Sequence, residues 1–326
     1  MENIYIQGRV EQSNEQIKIF WPGTILTFKI NGGPLKVQLS DDLGESRYSI
    51  IVDGKEIEDI QPTENKEWYV LYAPKDKKDH TVELHRKNDF SKGTSTLYAV
   101  VCDGDLDEIK PNKKHIEYYG NSISVGYANE DTTGNDDSYF TNNYWAYTSQ
   151  TSRALNTEQT IIARSGIGLM VSWFDLIMPE LYDRLNPNDK KSKWDFSKKI
   201  PDLVVINLMQ NDKWLMQNPD NENFLKRIGR RQLEGEEIIE KYSQFLQGIR
   251  LKYPNTPIIC TLGCMDISSK SSVFPEYVKS AIHYMRDDQI YYLEYPFLAK
   301  LAHPSVEMHT KMSQYLVEFI RKHQLI

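Results

Sequence analysis

The chain has 326 residues and a formal net charge of −7, from 39 lysines and arginines against 46 acidic residues. That length suits roughly two domains, and the acidic balance argues against a nucleic-acid protein, which would carry a basic face. No apolar stretch approaches the ~18 residues of a membrane span, and three cysteines are too few for a disulfide scaffold.

Residues 1–108 read as all-β. The chain starts MENIYIQGRV, which goes straight into strand-like residues with no leader-like segment. Ile17, Ile19 and Trp21, then Ile25, Thr27 and Lys29, alternate around the turn Pro22-Gly23. Further runs are 35–39, 48–52, 68–72, 81–85 and 96–101, separated by turn signals such as Asn31-Gly32-Gly33-Pro34, Asp53-Gly54 and Ala73-Pro74. Short strands at this spacing predict a β-sandwich or jelly roll. His80 and His85 lie an odd number of residues apart on one strand, so they face opposite sides and make a poor metal pair. The segment Asp103–Glu108 has the acidic start of a calcium loop but Glu108 where the sixth-position glycine belongs. With Pro111 and Asn112 it reads as a connection between domains.

Residues 109–326 alternate strand and helix. His115–Tyr119 is a short strand, 141–155 a helix and 158–163 a strand. Residues 203–208 (LVVINL) are apolar throughout, as at the centre of a parallel sheet. A helix over 234–253, a strand over 257–262, a helix over 275–285, a strand over 289–293 and a closing helix over 306–321 complete the pattern. Such alternation predicts a parallel sheet covered on both faces, with its site at the carboxyl ends of the strands. Cys260 and Cys264 read as small core residues.

Four of those strand ends carry chemistry. Ser122, in Gly120-Asn121-Ser122-Ile123-Ser124, follows the first strand and opens a helix, where its N–H faces outward toward a developing oxyanion. A serine that merely caps the helix explains the same residues. Gly166, in Ser165-Gly166-Ile167-Gly168, follows the second strand and lets a backbone N–H approach a ligand, or forms a plain turn. Asn211 and Asp212 follow the most apolar strand; the Asn211 amide suits an oxyanion, and an Asx turn is the plainer alternative. His303 precedes the last helix, where a base can reach Ser122, whereas His309 falls on that helix's apolar stripe and suits packing.

The order of these residues resembles the SGNH, or GDSL-type, hydrolase superfamily over 115–326. Gly120-Asn121-Ser122-Ile123, Gly166, Asn211-Asp212 and His303-Pro304 match its blocks. A β-sandwich placed before such a domain narrows the resemblance to carbohydrate esterase family 2, which deacetylates plant polysaccharides such as xylan. Trp21-Pro22-Gly23-Thr24, 48–55, Trp194-Asp195-Phe196 and His303-Pro304-Ser305-Val306 fit that pattern. The resemblance implies a jelly-roll domain over 1–108 and a three-layer α/β/α SGNH catalytic domain with a parallel sheet over 109–326. It implies a serine esterase acting on acetylated carbohydrate, a secreted or periplasmic setting, no metal or organic cofactor, and neither nucleic acid nor membrane as partner. Ser122 and His303 would be catalytic, and the N–H groups of Ser122 and Gly166 with the Asn211 amide would form the oxyanion hole.

Three departures stand out. Asn121 replaces the usual aspartate, Met209-Gln210 replaces Gly-Thr, and Lys300 and Leu301 stand where an acid precedes the histidine. The expectation is therefore a Ser122–His303 dyad, with Nδ1 of His303 bonded to a carbonyl or a distant side chain. The alternatives are a carbohydrate-binding protein without activity, an SGNH lipase or thioesterase, and a flavodoxin-like nucleotide binder, which lacks its Gly-x-Gly-x-x-Gly.

Overall fold

The computed structural model describes residues 3–110, 113–299 and 302–326. The connection expected at Pro111 and Asn112 lies outside the described residues.

The first strands are β1 (Tyr5–Gln7), β2 (Val10–Gln12), β3 (Ile17–Ile19), β4 (Ile25–Asn31), β5 (Leu35–Asp41) and β6 (Tyr48–Val52). They continue with β7 (Lys55–Ile60), β8 (Glu67–Tyr72), β9 (Asp79–Arg86), β10 (Ser95–Cys102) and β11 (Asp105–Asp107). One antiparallel sheet runs β1-β4-β9-β6-β7 with β11 also on β4, and the other runs β2-β3-β10-β5-β8. Alternation does the sorting. On β5, Leu35, Val37 and Leu39 are buried while Lys36, Gln38 and Ser40 point outward. The inward residues of both sheets, including Leu26, Phe28, Val37, Leu39 and Leu84, form one sandwich core. His80 lies outward, bonded to Asp53 and Asp76, while His85 is buried.

The second half begins with β12 (His115–Gly120), α1 (Ser122–Val125), α2 (Tyr147–Leu155), β13 (Glu158–Ala163), α3 (Met178–Leu181) and β14 (Leu203–Asn207). Then come α4 (Gln210–Met216), α5 (Glu222–Arg227), α6 (Gly235–Lys252), β15 (Ile258–Leu262), α7 (Phe274–Met285), β16 (Ile290–Glu294) and α8 (Val306–His323). The sheet is parallel throughout, in the order β13-β12-β14-β15-β16. Adjacent strand residues serve opposite faces: Tyr119, Ile162 and Ile206 pack with Phe245 and Ile249 of α6, and Tyr118, Ile161 and Val205 pack with Met312 and Leu316 of α8. The architecture is thus a β-sandwich followed by a three-layer α/β/α unit. No helix among the described residues is long and apolar enough to cross a membrane.

Two expectations change. Asp105–Asp107 is not a simple connection but pairs antiparallel with β4 as β11. The helix expected over 141–155 begins only at Tyr147, after a 3₁₀ turn over Asn143–Trp145. There the Asn142 side chain accepts the Tyr144 N–H, competing with helical bonding.

The halves meet over buried polar contacts. Arg9, between β1 and β2, donates Nη2 to Glu117 Oε2 at 3.3 Å and Nη1 to the Tyr182 carbonyl at 2.6 Å. The rings of Trp194 and Phe196 cover its guanidinium at 5.1 and 5.2 Å. Glu117 on β12 also accepts from Tyr253 at 2.8 Å and from Tyr119. Trp21 Nε1 donates to the Leu185 carbonyl at 2.9 Å, and Gln159 Nε2 to the Gly23 carbonyl at 2.9 Å. Both Arg9 and Glu117 are fully buried. Arg9→Ala should therefore cost about 3–5 kcal/mol in denaturant unfolding, because it strands the Glu117 charge. The double variant Arg9→Met/Glu117→Leu should recover most of that loss.

Candidate active site

The carboxyl ends of β12, β13 and β14 meet at one edge of the parallel sheet. Ser122 is the first residue of α1 and is only 4% exposed. Its neighbour Asn121 is the cap, accepting the Ile123 N–H at 3.0 Å. A side-chain acceptor suits that position whether it is Asn or Asp. His303 stands three residues before α8, whose own cap is Ser305. His303 Nε2 lies 2.9 Å from Ser122 Oγ. His309, by contrast, is buried on α8 against Tyr147, where burial pushes its imidazole down to about 3.

The expected dyad is corrected by a third group. Asp136 Oδ2 lies 2.8 Å from His303 Nδ1, and Asp136 Oδ1 accepts the backbone N–H of His303 at 2.9 Å. With Nδ1–H donating to the carboxylate, Nε2 is left to accept from the serine hydroxyl. The acid does not come from the stretch before the histidine; Lys300 and Leu301 lie outside the described residues. It arrives from the loop after α1, 167 residues earlier in the chain. That loop holds itself. Asp131 accepts from the Thr133 N–H at 2.7 Å, the Thr133 hydroxyl at 2.6 Å and the Asp137 N–H at 3.0 Å. Asp136 has a φ of 57°, in the left-handed region that Asp and Asn tolerate best among residues with a side chain. The His303 bond holds its carboxyl below the usual carboxylate range. The available signal was the run Asp131-Thr132-Thr133-Gly134-Asn135-Asp136-Asp137, a dense Asx loop shortly after the serine block.

Gly166 has a φ of 84°, a conformation glycine adopts freely. Among the described residues, neither its N–H nor that of Ser122 has a partner. The preceding N–H, of Ser165, is taken by Asp89 of the first half at 2.8 Å. Asn211 Nδ2 donates to the Ile167 carbonyl at 2.7 Å, which leaves its second N–H free. Asn211 Oδ1 accepts from Trp173 Nε1 at 3.1 Å, fixing which way the amide faces. Asp212 is fully buried and accepts the N–H groups of Leu169, Met170 and Val171 at 2.9, 2.6 and 3.1 Å. Burial pushes its carboxyl up against those three donors. A side chain at Gly168 would collide with the Val171 carbonyl and with Asp212, so this loop needs glycine for close approach. Met209 has a φ of 78°. It stands where the resemblance expects glycine, and the backbone shows why glycine is usual there.

The resulting cleft has a volume of about 360 Å³. Its walls are Tyr127, Trp173, Phe174 and Trp214, around Ser122 and His303. Tyr127 packs 4.7 Å from the His303 ring, and Trp214 is anchored through Nε1 to Asp266 at 2.9 Å. The structure thus brings Ser122, His303, Gly166 and Asn211 to one cleft, and adds Asp136.

Residues 6–110 match the family model described as carbohydrate esterase 2 N-terminal. The cellulase/esterase CelE of Acetivibrio thermocellus is 26% identical over 336 residues, covering 98% of this chain and 39% of that protein. The chain thus spans about two fifths of the length of that relative. A family two carbohydrate esterase from Clostridium thermocellum, solved in complex with cellohexaose, superposes with a TM-score of 0.88 at 24% identity, covering 99% of this chain and 100% of that one. An acetyl xylan esterase from the rumen bacterium Butyrivibrio proteoclasticus gives a TM-score of 0.84 at 18% identity, covering 99% and 96%. The fold is that of these structures, and the resemblance to family 2 carbohydrate esterases runs the length of the chain.

Asp212→Ala should lower unfolding stability by about 3 kcal/mol or more, since each of three buried N–H groups would lose its acceptor at roughly 1–3 kcal/mol apiece. Denaturant titration measures this directly.

Proposed function

Proceeding from that resemblance to family 2 carbohydrate esterases, we propose that the chain is a serine esterase that removes acetyl or other short acyl groups from carbohydrate. The observation that carries this reading is the unbroken hydrogen-bond chain from Asp136 through His303 to Ser122. It opens on the N–H groups of Ser122 and Gly166, unpaired among the described residues.

In this reading His303 Nε2 takes the proton of Ser122 as the hydroxyl attacks the ester carbonyl. Asp136 fixes the imidazole tautomer and stabilises the imidazolium that forms. The N–H groups of Ser122 and Gly166 and the free N–H of Asn211 receive the oxyanion. His303 returns its proton to the departing sugar oxygen, and a water activated by the same nitrogen releases the acyl group. The cleft's make-up favours a short acyl group on a sugar. Its described lining includes no aliphatic side chain to sheathe a long chain, while the rings of Trp173, Trp214 and Tyr127 offer stacking faces. The division of labour follows the division of the chain: residues 1–108 as the sandwich domain and 109–326 as the catalytic domain.

Acetate release from an acetylated polysaccharide tests the reading. Ser122→Ala and His303→Ala should each lower turnover by on the order of 10⁶, with folding intact. Near-wild-type turnover in Ser122→Ala would refute the assignment. Asp136→Asn, which suits the same backbone, should lower kcat by up to ~10⁴ with little change in KM; unchanged kcat would reduce Asp136 to a loop anchor. Asn211→Ala should cost roughly 10²–10³ in kcat, the usual worth of one oxyanion donor. A change confined to KM would make Asn211 a substrate-positioning group instead.

A further inference from the structure

Gly166 presents its N–H from a turn that both halves of the chain hold. Downstream the hold is internal to the second half. Ser172 Oγ accepts the Gly168 N–H at 2.9 Å, the Gly166 carbonyl accepts the Trp173 N–H at 3.1 Å, and Asp212 takes the N–H groups of 169–171. Upstream the hold comes from the sandwich. Asp89 Oδ2 accepts the Ser165 N–H at 2.8 Å. The Arg164 guanidinium, one residue earlier, lies 5.2 Å over the Phe90 ring and 3.5 Å over that of Phe174.

The sandwich makes this grip stiff. Asp89 and Phe90 are both buried and sit in the connection between β9 and β10. Arg86, fully buried at the end of β9, donates into that connection, to the carbonyls of Asn88, Asp89 and Gly93 at 3.0, 3.3 and 2.6 Å. Asp89 Oδ1 caps the 3₁₀ turn over Phe90–Lys92, accepting the Ser91 N–H at 2.9 Å and the Ser91 hydroxyl at 2.6 Å. The two carboxylate oxygens divide the work: Oδ1 ties the side chain to its own loop, and Oδ2 reaches across the junction.

The direction of the Gly166 N–H is the tilt of the peptide plane between Ser165 and Gly166. Glycine reaches the φ of 84° at no steric cost, but its freedom on both sides of φ leaves that tilt weakly set. A charged acceptor on the N–H of the preceding plane removes the freedom. A donor stabilises developing charge best when it is aimed in advance and need not reorganise.

We propose that Asp89 is a positioning residue for the esterase reaction, a carboxylate of the sandwich that aims the Gly166 N–H at the oxyanion. Turnover in the second half then depends on a side chain of the first. The proposal rests on the esterase reading and adds to it a residue that touches no reacting atom.

The test compares wild type, Asp89→Ala, Asp89→Asn and Ser91→Ala on an aryl acetate. Phenylboronic acid is the second probe, since its tetrahedral adduct on Ser122 places an oxygen in the oxyanion hole. Asp89→Ala should lower kcat per folded molecule by roughly tenfold to 10²-fold, as an ångström of misplacement costs about 10². KM should stay near wild type, and boronate binding should weaken by the same factor as kcat. Asp89→Asn has one acceptor oxygen for two sets of donors. It should fall between wild type and Asp89→Ala, and it carries the test if the alanine variant does not fold. Ser91→Ala, which removes only the hydroxyl bond to Oδ1, should keep kcat. Wild-type kcat in the Asp89 variants, a change confined to KM, or a kcat loss with unaltered boronate binding overturns the positioning role while the esterase reading stands. A loss in Ser91→Ala equal to that in Asp89→Ala places the effect in the 3₁₀ turn and overturns it too. Absence of Ser122-dependent hydrolysis in wild type overturns the esterase reading, and the role of Asp89 with it.

Discussion

A guanidinium driven beneath a parallel sheet holds this molecule in one arrangement. Arg9 belongs to the sandwich, but its carboxylate partner Glu117 belongs to β12, next to the edge of the parallel sheet. Neither group can return to water without breaking the pair, and a lone buried charge is far more costly than the pair itself. The sandwich is therefore pinned against the strand whose last residues lead to Ser122. Trp21 and Gln159 add bonds across the same junction. The geometry of the cleft depends on that pin, because one of its supports, Asp89, reaches over from the sandwich.

At the sheet edge the same device recurs. Three aspartates each hold a loop by accepting backbone N–H groups. Asp136 holds the histidine segment, Asp212 the turn after Gly166, and Asp89 the residue just before it. Carboxylates suit this work because a charged acceptor makes a stronger bond to N–H than a neutral one. The donors that remain unpaired among the described residues, at Ser122 and Gly166, are left so by the turns that present them. The region is thus rigid where it carries groups and open where it would receive charge.

Much of this was legible in the chain. Period-two alternation marked β5, β9 and β10, and the apolar run 203–208 marked the centre of the parallel sheet. Ser122, Gly166, Asn211 and His303 each follow a strand or precede a helix, which makes their positions readable from local pattern. What escaped was non-local or locally ambiguous. Asp136 has no periodicity, and its partner is 167 residues away. Strand β7, with the sequence KEIEDI, carries charges on both sides and is largely exposed, so it offers no alternation. The one-turn helices α1 and α3 are too short for a helical period to register. The start of α2 was overestimated because asparagine side chains take the backbone bonds a helix would have used.

The backbone at Asp136 has a consequence for how the site can drift over generations. A left-handed φ restricts which residues fit there at low strain, and the best tolerated are glycine, asparagine and aspartate. Two of those three keep the loop's shape and abolish its charge. The acid is therefore a single accepted exchange away from loss, with the histidine, the serine and all three sheets untouched. The backbone conformation at this position does not itself distinguish aspartate from asparagine, so the charge is held only by what the carboxylate bonds, the N–H and the Nδ1 of His303.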